Sequence, residues 1–142
     1  DFFPVSLIIT SLFFHFITYN QMEDNTFNER FRNRTKQFAV DVFFFLSTLS
    51  GIKNAQPIIY QLTKACTSVA ANWRAACRAR SANEFYSKVC IVVEEADESE
   101  FWLDFIAATK IDNSPERQRL EKESHEILLI TSAIKSRNSS KK

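Results

Sequence analysis

Two carboxylates, Glu95 and Glu98, interrupt an apolar helical stripe that also contains Ile91, Trp102 and Phe105. Inward glutamates in a helical bundle have one familiar chemistry. Joined by Glu-x-x-His pairs on facing helices, they hold two metal ions. The chain has two histidines, His15 and His125, and the residue three positions before His125 is Lys122. With no Glu-x-x-His pair, no metal and no other cofactor is expected. Glu95 and Glu98 are expected instead to join Asn72 in a buried polar network that serves architecture, because a buried polar group must find hydrogen-bond partners. Nucleophilic catalysis fares no better. A serine or cysteine nucleophile needs a base beside it, and these histidines complete no Ser/His/Asp or Cys/His arrangement. The expectation is that the protein is not an enzyme.

Cys66, Cys77 and Cys90 are odd in number, lack C-x-x-C spacing and fall inside helical pattern. Cys66 and Cys77 share a face, but eleven residues of helix separate them by about 16 Å, too far for a disulfide. They read as reduced packing residues, which favours a cytoplasmic protein. The basic side chains are the remaining chemistry. Arg30, Arg32, Arg34 and Lys36 precede the apolar run Val42 to Leu46, and Lys64, Arg74, Arg78 and Arg80 follow it. All eight are candidate phosphate contacts, with Tyr60 and Trp73 near enough to stack on bases. The competing reading is a solvated face, or one paired with an acidic helix. From Glu23 to Val93 there are ten Lys/Arg against five Asp/Glu, and from Glu94 onward eight against eleven. The two halves are electrically complementary, although the whole chain carries a formal charge of only +1.

The elements that must position these residues are helices. One glycine and three prolines in 142 residues leave long breaker-free segments, so the class is all-α, in one bundle domain. Four helices are expected near residues 26 to 50, 57 to 80, 82 to 110 and 115 to 136, joined by short connections into an antiparallel up-down-up-down four-helix bundle. Thr26 with Glu29 has capping-box spacing for the first, whose stripe is Phe31, Thr35, Phe38, Val42, Phe45 and Leu49, and Gly51 is expected to close it in the left-handed conformation. Pro57 suits the first turn of the second, with a stripe through Ile58, Leu62, Ala65, Val69, Asn72, Ala76 and Ala79. Ser81 with Glu84 starts the third, whose seam is Phe85, Val89, Val92, Ala96, Ser99, Leu103 and Ile106 and whose outer face carries Glu94, Asp97 and Asp104. Ser114, Pro115 and Glu116 start the fourth, with Leu120, Ile127, Ile130 and Ile134 inward and a basic tail after Ser136.

Residues 1–21 are apolar and contain no Lys or Arg. Three readings stand for this leader: sequence upstream of a true start at Met22, a weak membrane segment, or an extra apolar helix on the bundle. The bundle itself is assigned to residues 22–142. It carries more apolar surface than one core can use, since Phe43, Phe44, Trp73, Tyr86 and Phe101 lie beside the seams. These five are the candidate subunit interface of a homo-oligomer.

The run QLTKACTSVAANWRAACRARSANEF, followed by KVCIVVEEADESEFWL, resembles the bacterial four-helix bundle family named for proteins encoded in intervening sequences of 23S ribosomal RNA genes. The resemblance rests on Gln61 and Leu62, Ser68 and Asn72, Ser81 with Glu84 and Phe85, Glu95, Ala96 and Glu98, and Phe101 to Leu103. It covers roughly Asn25 to Arg137 and departs at Arg74-Ala75-Ala76, where the family often has Glu-Ala. It implies homo-oligomers, typically pentamers, no enzymatic activity, and kinship with the basic accessory protein of diversity-generating retroelements, which works with a reverse transcriptase and nucleic acid. The function expected is therefore a non-enzymatic oligomeric bundle associated with RNA or an RNA-protein complex. The alternative is a protein-interaction scaffold that does not bind nucleic acid, and neither reading has a membrane partner unless the leader is one.

Overall fold

The structure, a computed structural model, describes residues 5–139. Among them are four helices and no strand: α1 (Val5–Ser47), α2 (Gln56–Ala76), α3 (Ala82–Ala108) and α4 (Pro115–Ser139). The chain divides into two compact units, one ending at Phe31 and the other beginning at Arg32. In the first unit the helical residues expose Ile9, Leu12, Phe13, Phe14 and Phe16, and Phe27 stacks on Phe31 at 5.6 Å. No helix among the described residues is long and apolar enough to cross a membrane.

The expected start of α1 at Thr26 is corrected. The Thr26 hydroxyl donates to the Met22 carbonyl at 2.8 Å, a bond made inside a helix rather than at its entrance. With no Pro or Gly between Val5 and Thr26, the capping spacing has no chain break to act on. The end of α1 also differs from expectation, since Gly51 does not take a positive φ. Ser47, Thr48 and Ser50 close the helix instead, their hydroxyls donating to the carbonyls of Phe43, Phe45 and Ser47 at 3.0, 2.6 and 2.9 Å. They add to backbone bonds of the tightened last turn, in which the amides of Thr48, Leu49 and Ser50 donate to the carbonyls of Phe45, Leu46 and Ser47, so the helix closes without a left-handed glycine.

The second unit is built around Phe38, Val42, Phe45 and Leu46 of α1, Leu62, Val69 and Trp73 of α2, Val89, Val92, Leu103 and Ile106 of α3, and Leu120 and Ile127 of α4, all buried. The α1 stripe is as its periodicity indicates, with Thr35 and Leu49 buried too. In α2 the buried line passes through Trp73 rather than Asn72, which is half-buried beside it. Burying the indole removes far more apolar surface from water than burying an amide, and its ring meets Phe85 edge-on at 6.4 Å. The same observation removes Trp73 from the candidate subunit interface, because a side chain with 0 % exposure in the single chain has nothing to present to another.

Helix α2 ends at Ala76, and α3 begins after its N-cap Ser81, whose extended backbone (φ −151°) sets the new helix direction. Its hydroxyl accepts from the Glu84 amide at 3.1 Å, while the Glu84 carboxylate accepts from the Arg80 amide at 2.9 Å, one residue earlier than the usual reciprocal partner. That bond to the Arg80 amide, helped by the Arg80 guanidinium, holds the Glu84 carboxyl below the usual carboxylate range.

At the end of α3 the left-handed residue is Lys110 (φ 58°), with its amide bonded to the Ala107 carbonyl and that of Ile111 to the Ile106 carbonyl. Helix α4 starts as its residues indicate, the Ser114 hydroxyl accepting from the Arg117 amide at 3.2 Å. It continues to Ser139, past the point at which the basic tail was expected to begin, and the buried line is Arg117, Leu120, Ser124, Ile127 and Thr131, with Ile130 and Ile134 only half-buried. Two of the three polar members of that line hold α4 to α3: Ser124 donates to the Ala96 carbonyl at 3.3 Å and Arg117 to the Leu103 carbonyl at 3.1 Å.

Candidate nucleic-acid interface

The basic residues do not act as one face. Along a helix, two residues differ by about 200°, so Arg32 and Arg34 must point apart, whereas Arg32 and Lys36 share a side. Arg34 faces α4, where its guanidinium donates to Glu123 at 2.6 and 2.8 Å and to Glu126 at 2.5 Å. These bonds raise its pKa further, so it is a fixed cation committed to holding α1 against α4. Arg119 of α4 returns the contact to Asp41 at 3.0 Å. Arg80 is tied to Glu84, Lys64 acts on Glu95, and Arg30 is an exposed residue of the first unit.

The remaining four converge. Arg32 and Lys36 of α1 and Arg74 and Arg78 of α2 line one groove of about 950 Å³ within the second unit. Phe43 and Phe44 line the same groove, 56 % and 65 % exposed, with their rings edge-on at 5.6 Å. Val40 and Ala71 fill in the apolar floor, Asn33 and Thr67 add polar groups, and no carboxylate lines it. Two sets of residues that the sequence assigned to separate roles, phosphate contact and subunit contact, therefore occupy a single site. The spacing 32, 36 on α1 and 67, 71, 74, 78 on α2 carried that signal, but only the pairing of α1 with α2 could join the two rows. Cys77 stands close enough to Arg32 to feel its charge, although burial dominates and pushes the thiol pKa up.

The polar residues Asn72, Glu95 and Glu98 do not hydrogen-bond one another directly. Ser68 is the centre of the group, a residue not singled out for this role by its type. The Asn72 amide donates to the Ser68 carbonyl and hydroxyl, both at 3.0 Å, and the same serine side chain acts on the Glu95 carboxyl, lowering its pKa. Glu98 accepts from the Trp102 indole at 3.2 Å. Burial, then the neighbouring Glu98 charge, pushes the Glu95 pKa up against the opposing pull of Lys64 and Ser68. All three residues are half-buried, and Asn72 and Glu98 hydrogen-bond other protein groups. Among the described residues, no three His, Cys, Asp or Glu side chains converge as a metal site would require.

On α3, Phe101 is 53 % exposed and packs at 5.0 Å on Trp102 and 5.9 Å on Phe105. Tyr86, also expected at a subunit contact, is half-buried.

Fold and site together define an all-α helical protein with a basic, aromatic-floored groove between two helices. A solved structure with the same architecture is a protein of unknown function from the S23 ribosomal protein family of Bacteroides thetaiotaomicron, 26 % identical, with a TM-score of 0.68 over 73 % of this chain and 96 % of that one. No protein-family profile matches the chain, and no curated protein matches it.

Proposed function

We propose that this is a non-enzymatic, antiparallel up-down-up-down four-helix bundle that self-associates and binds RNA, alone or within an RNA-protein complex, through the α1/α2 groove. The antiparallel arrangement is supported by contacts whose residue numbers run in opposite senses, Ala96 with Ser124 and Leu103 with Arg117. The observation that carries the RNA reading is the convergence of Arg32, Lys36, Arg74 and Arg78 beside two exposed phenylalanines, with no carboxylate in the lining. Cations that track a backbone and aromatic faces on which bases stack are what a single strand requires of its binder. The ribosomal-protein family of the similar structure, and the resemblance to proteins encoded within ribosomal RNA genes, point the same way. Thiols held protonated by burial fit a reducing compartment such as the cytoplasm, and assembly as a pentamer is the form the resemblance favours.

The test is binding of a uridine-rich RNA oligonucleotide across a salt series. Four phosphate contacts on a single strand give a slope of about −2.8 in log K against log salt, roughly a 50-fold loss between 50 and 200 mM. Arg74→Ala should flatten that slope by about 0.7. A salt-independent affinity, or a slope that Arg74→Ala leaves unchanged, would remove the groove from consideration and leave the scaffold reading.

A further inference from the structure

The groove has a counterpart on the same chain. The exposed side of α3 reads Glu94, Asp97, Phe101, Asp104 and Phe105, at steps that keep these residues on one stripe. Its three carboxylates are exposed and make no ion pair among the described residues, and its phenylalanines are 53 % and 37 % exposed. The groove offers the complement: cations at one end and Phe43 with Phe44 at the other. The registers match as well. Seven residues separate Lys36 from Phe43 on α1, and seven separate Glu94 from Phe101 on α3, so each surface places its charge and its aromatic ring about 10 Å apart.

One chain cannot satisfy itself this way, because the stripe lies on the helix packed between α2 and α4, while the groove opens between α1 and α2. Resting on the reading of the groove as an RNA site, we propose that the acidic, aromatic stripe of α3 in a second copy of this chain docks into the α1/α2 groove and competes there with RNA. Carboxylates take the places of phosphates and Phe101 that of a stacked base. The contact is heterologous: each copy spends its groove on one neighbour and its stripe on another, which builds a closed ring or an open chain of subunits. Linkage makes the effect reciprocal, since a ligand that fills the groove must loosen the assembly by the factor by which assembly weakens that ligand.

The experiment uses two full-length variants altered only at exposed positions, the groove variant Arg74→Ala/Arg78→Ala and the stripe variant Asp97→Ala/Phe101→Ala, each shown by circular dichroism to keep its helix content. By light scattering, the wild type is expected to assemble, each variant alone to be monomeric, and the mixture to form a 1:1 heterodimer that does not grow. That heterodimer is the signature of one intact stripe in one intact groove. A monomeric wild type, a variant that assembles as the wild type does, or a mixture that stays monomeric overturns the docking. A second arm measures binding of a uridine-rich RNA oligonucleotide at protein concentrations where the wild type is assembled. With nine-tenths of the grooves filled, the wild type should bind about tenfold more weakly than the stripe variant, whose groove is open. Equal binding by the two overturns the competition and leaves RNA binding standing. Binding by neither, with the heterodimer still formed, overturns the RNA reading and the competition that rests on it, and leaves the docking of stripe in groove standing.

Discussion

Replacing Trp73 by alanine separates a core role from an interface role. Its indole is fully buried, beside Val69 and Ala76 on the buried side of α2 and edge-on to Phe85 of α3 at 6.4 Å. Truncating a buried aromatic costs about 3 to 5 kcal/mol, and an edge-on aromatic pair accounts for about 0.5 to 1.5 of such losses. A domain of this size has about 5 to 15 kcal/mol in total, so a loss near 4 takes a large part of it. In urea, with a slope of about 2 kcal/mol per molar, the unfolding midpoint should fall by about 2 M. The measurement is a urea titration followed by circular dichroism, wild type and variant at the same protein concentration so that any assembly contributes equally. If Trp73→Ala keeps its midpoint but shifts to a smaller species by light scattering, the residue lies at a subunit contact and the packing described above is wrong.

Two opposite glycine exchanges, one adding a glycine and one removing it, are both expected to stabilise the protein in thermal melts. Lys110→Gly relieves a left-handed residue and should stabilise by about 0.5 to 1 kcal/mol. Gly51→Ala meets nothing within 4 Å, at a backbone without positive φ, and should stabilise by about 0.4 to 1 kcal/mol by restricting the unfolded chain. A loss of stability in either would contradict the turn assignments. Glu95→Gln should raise the melting temperature at neutral pH. The folded state raises this carboxyl's pKa and so favours its neutral form, making the ionised form a penalty that is full above the folded pKa, shrinks as pH falls through it and is gone below the unfolded pKa. In acid below the carboxylate range the two proteins should melt together, and a gain that persists there would assign the effect to something other than charge. Cys66, its thiol pushed up to about 12 by burial, should resist a thiol-specific reagent in the native protein at neutral pH and react at once in denaturant.

Much of the helical structure was legible because its causes are local. The α1 and α3 stripes depend on a 3.6-residue period, and the hydroxyl caps at Ser81 and Ser114 on residues three positions apart. Such signals lie within one or two turns of chain, where the sequence alone decides the outcome. They misled where a local rule had no local occasion: Thr26 had the spacing of a cap but no interruption to cap, and Gly51 had the freedom to turn left while the tightened turn through Thr48, Leu49 and Ser50 had already closed the helix. Asn72 and Trp73 are one step apart, and a stripe wide enough to admit either cannot choose between them. Phe85, on another helix, makes the choice. The groove lies wholly beyond local reach. Periodicity places Arg32 with Lys36 and Arg74 with Arg78, but it is the pairing of α1 with α2 that merges the two rows beside Phe43 and Phe44, and the acids of α4 that draw Arg34 away from them. A helix's own residues determine which side is apolar. Which other side chains that side meets depends on neighbours tens of residues away, and only the tertiary structure brings them into contact.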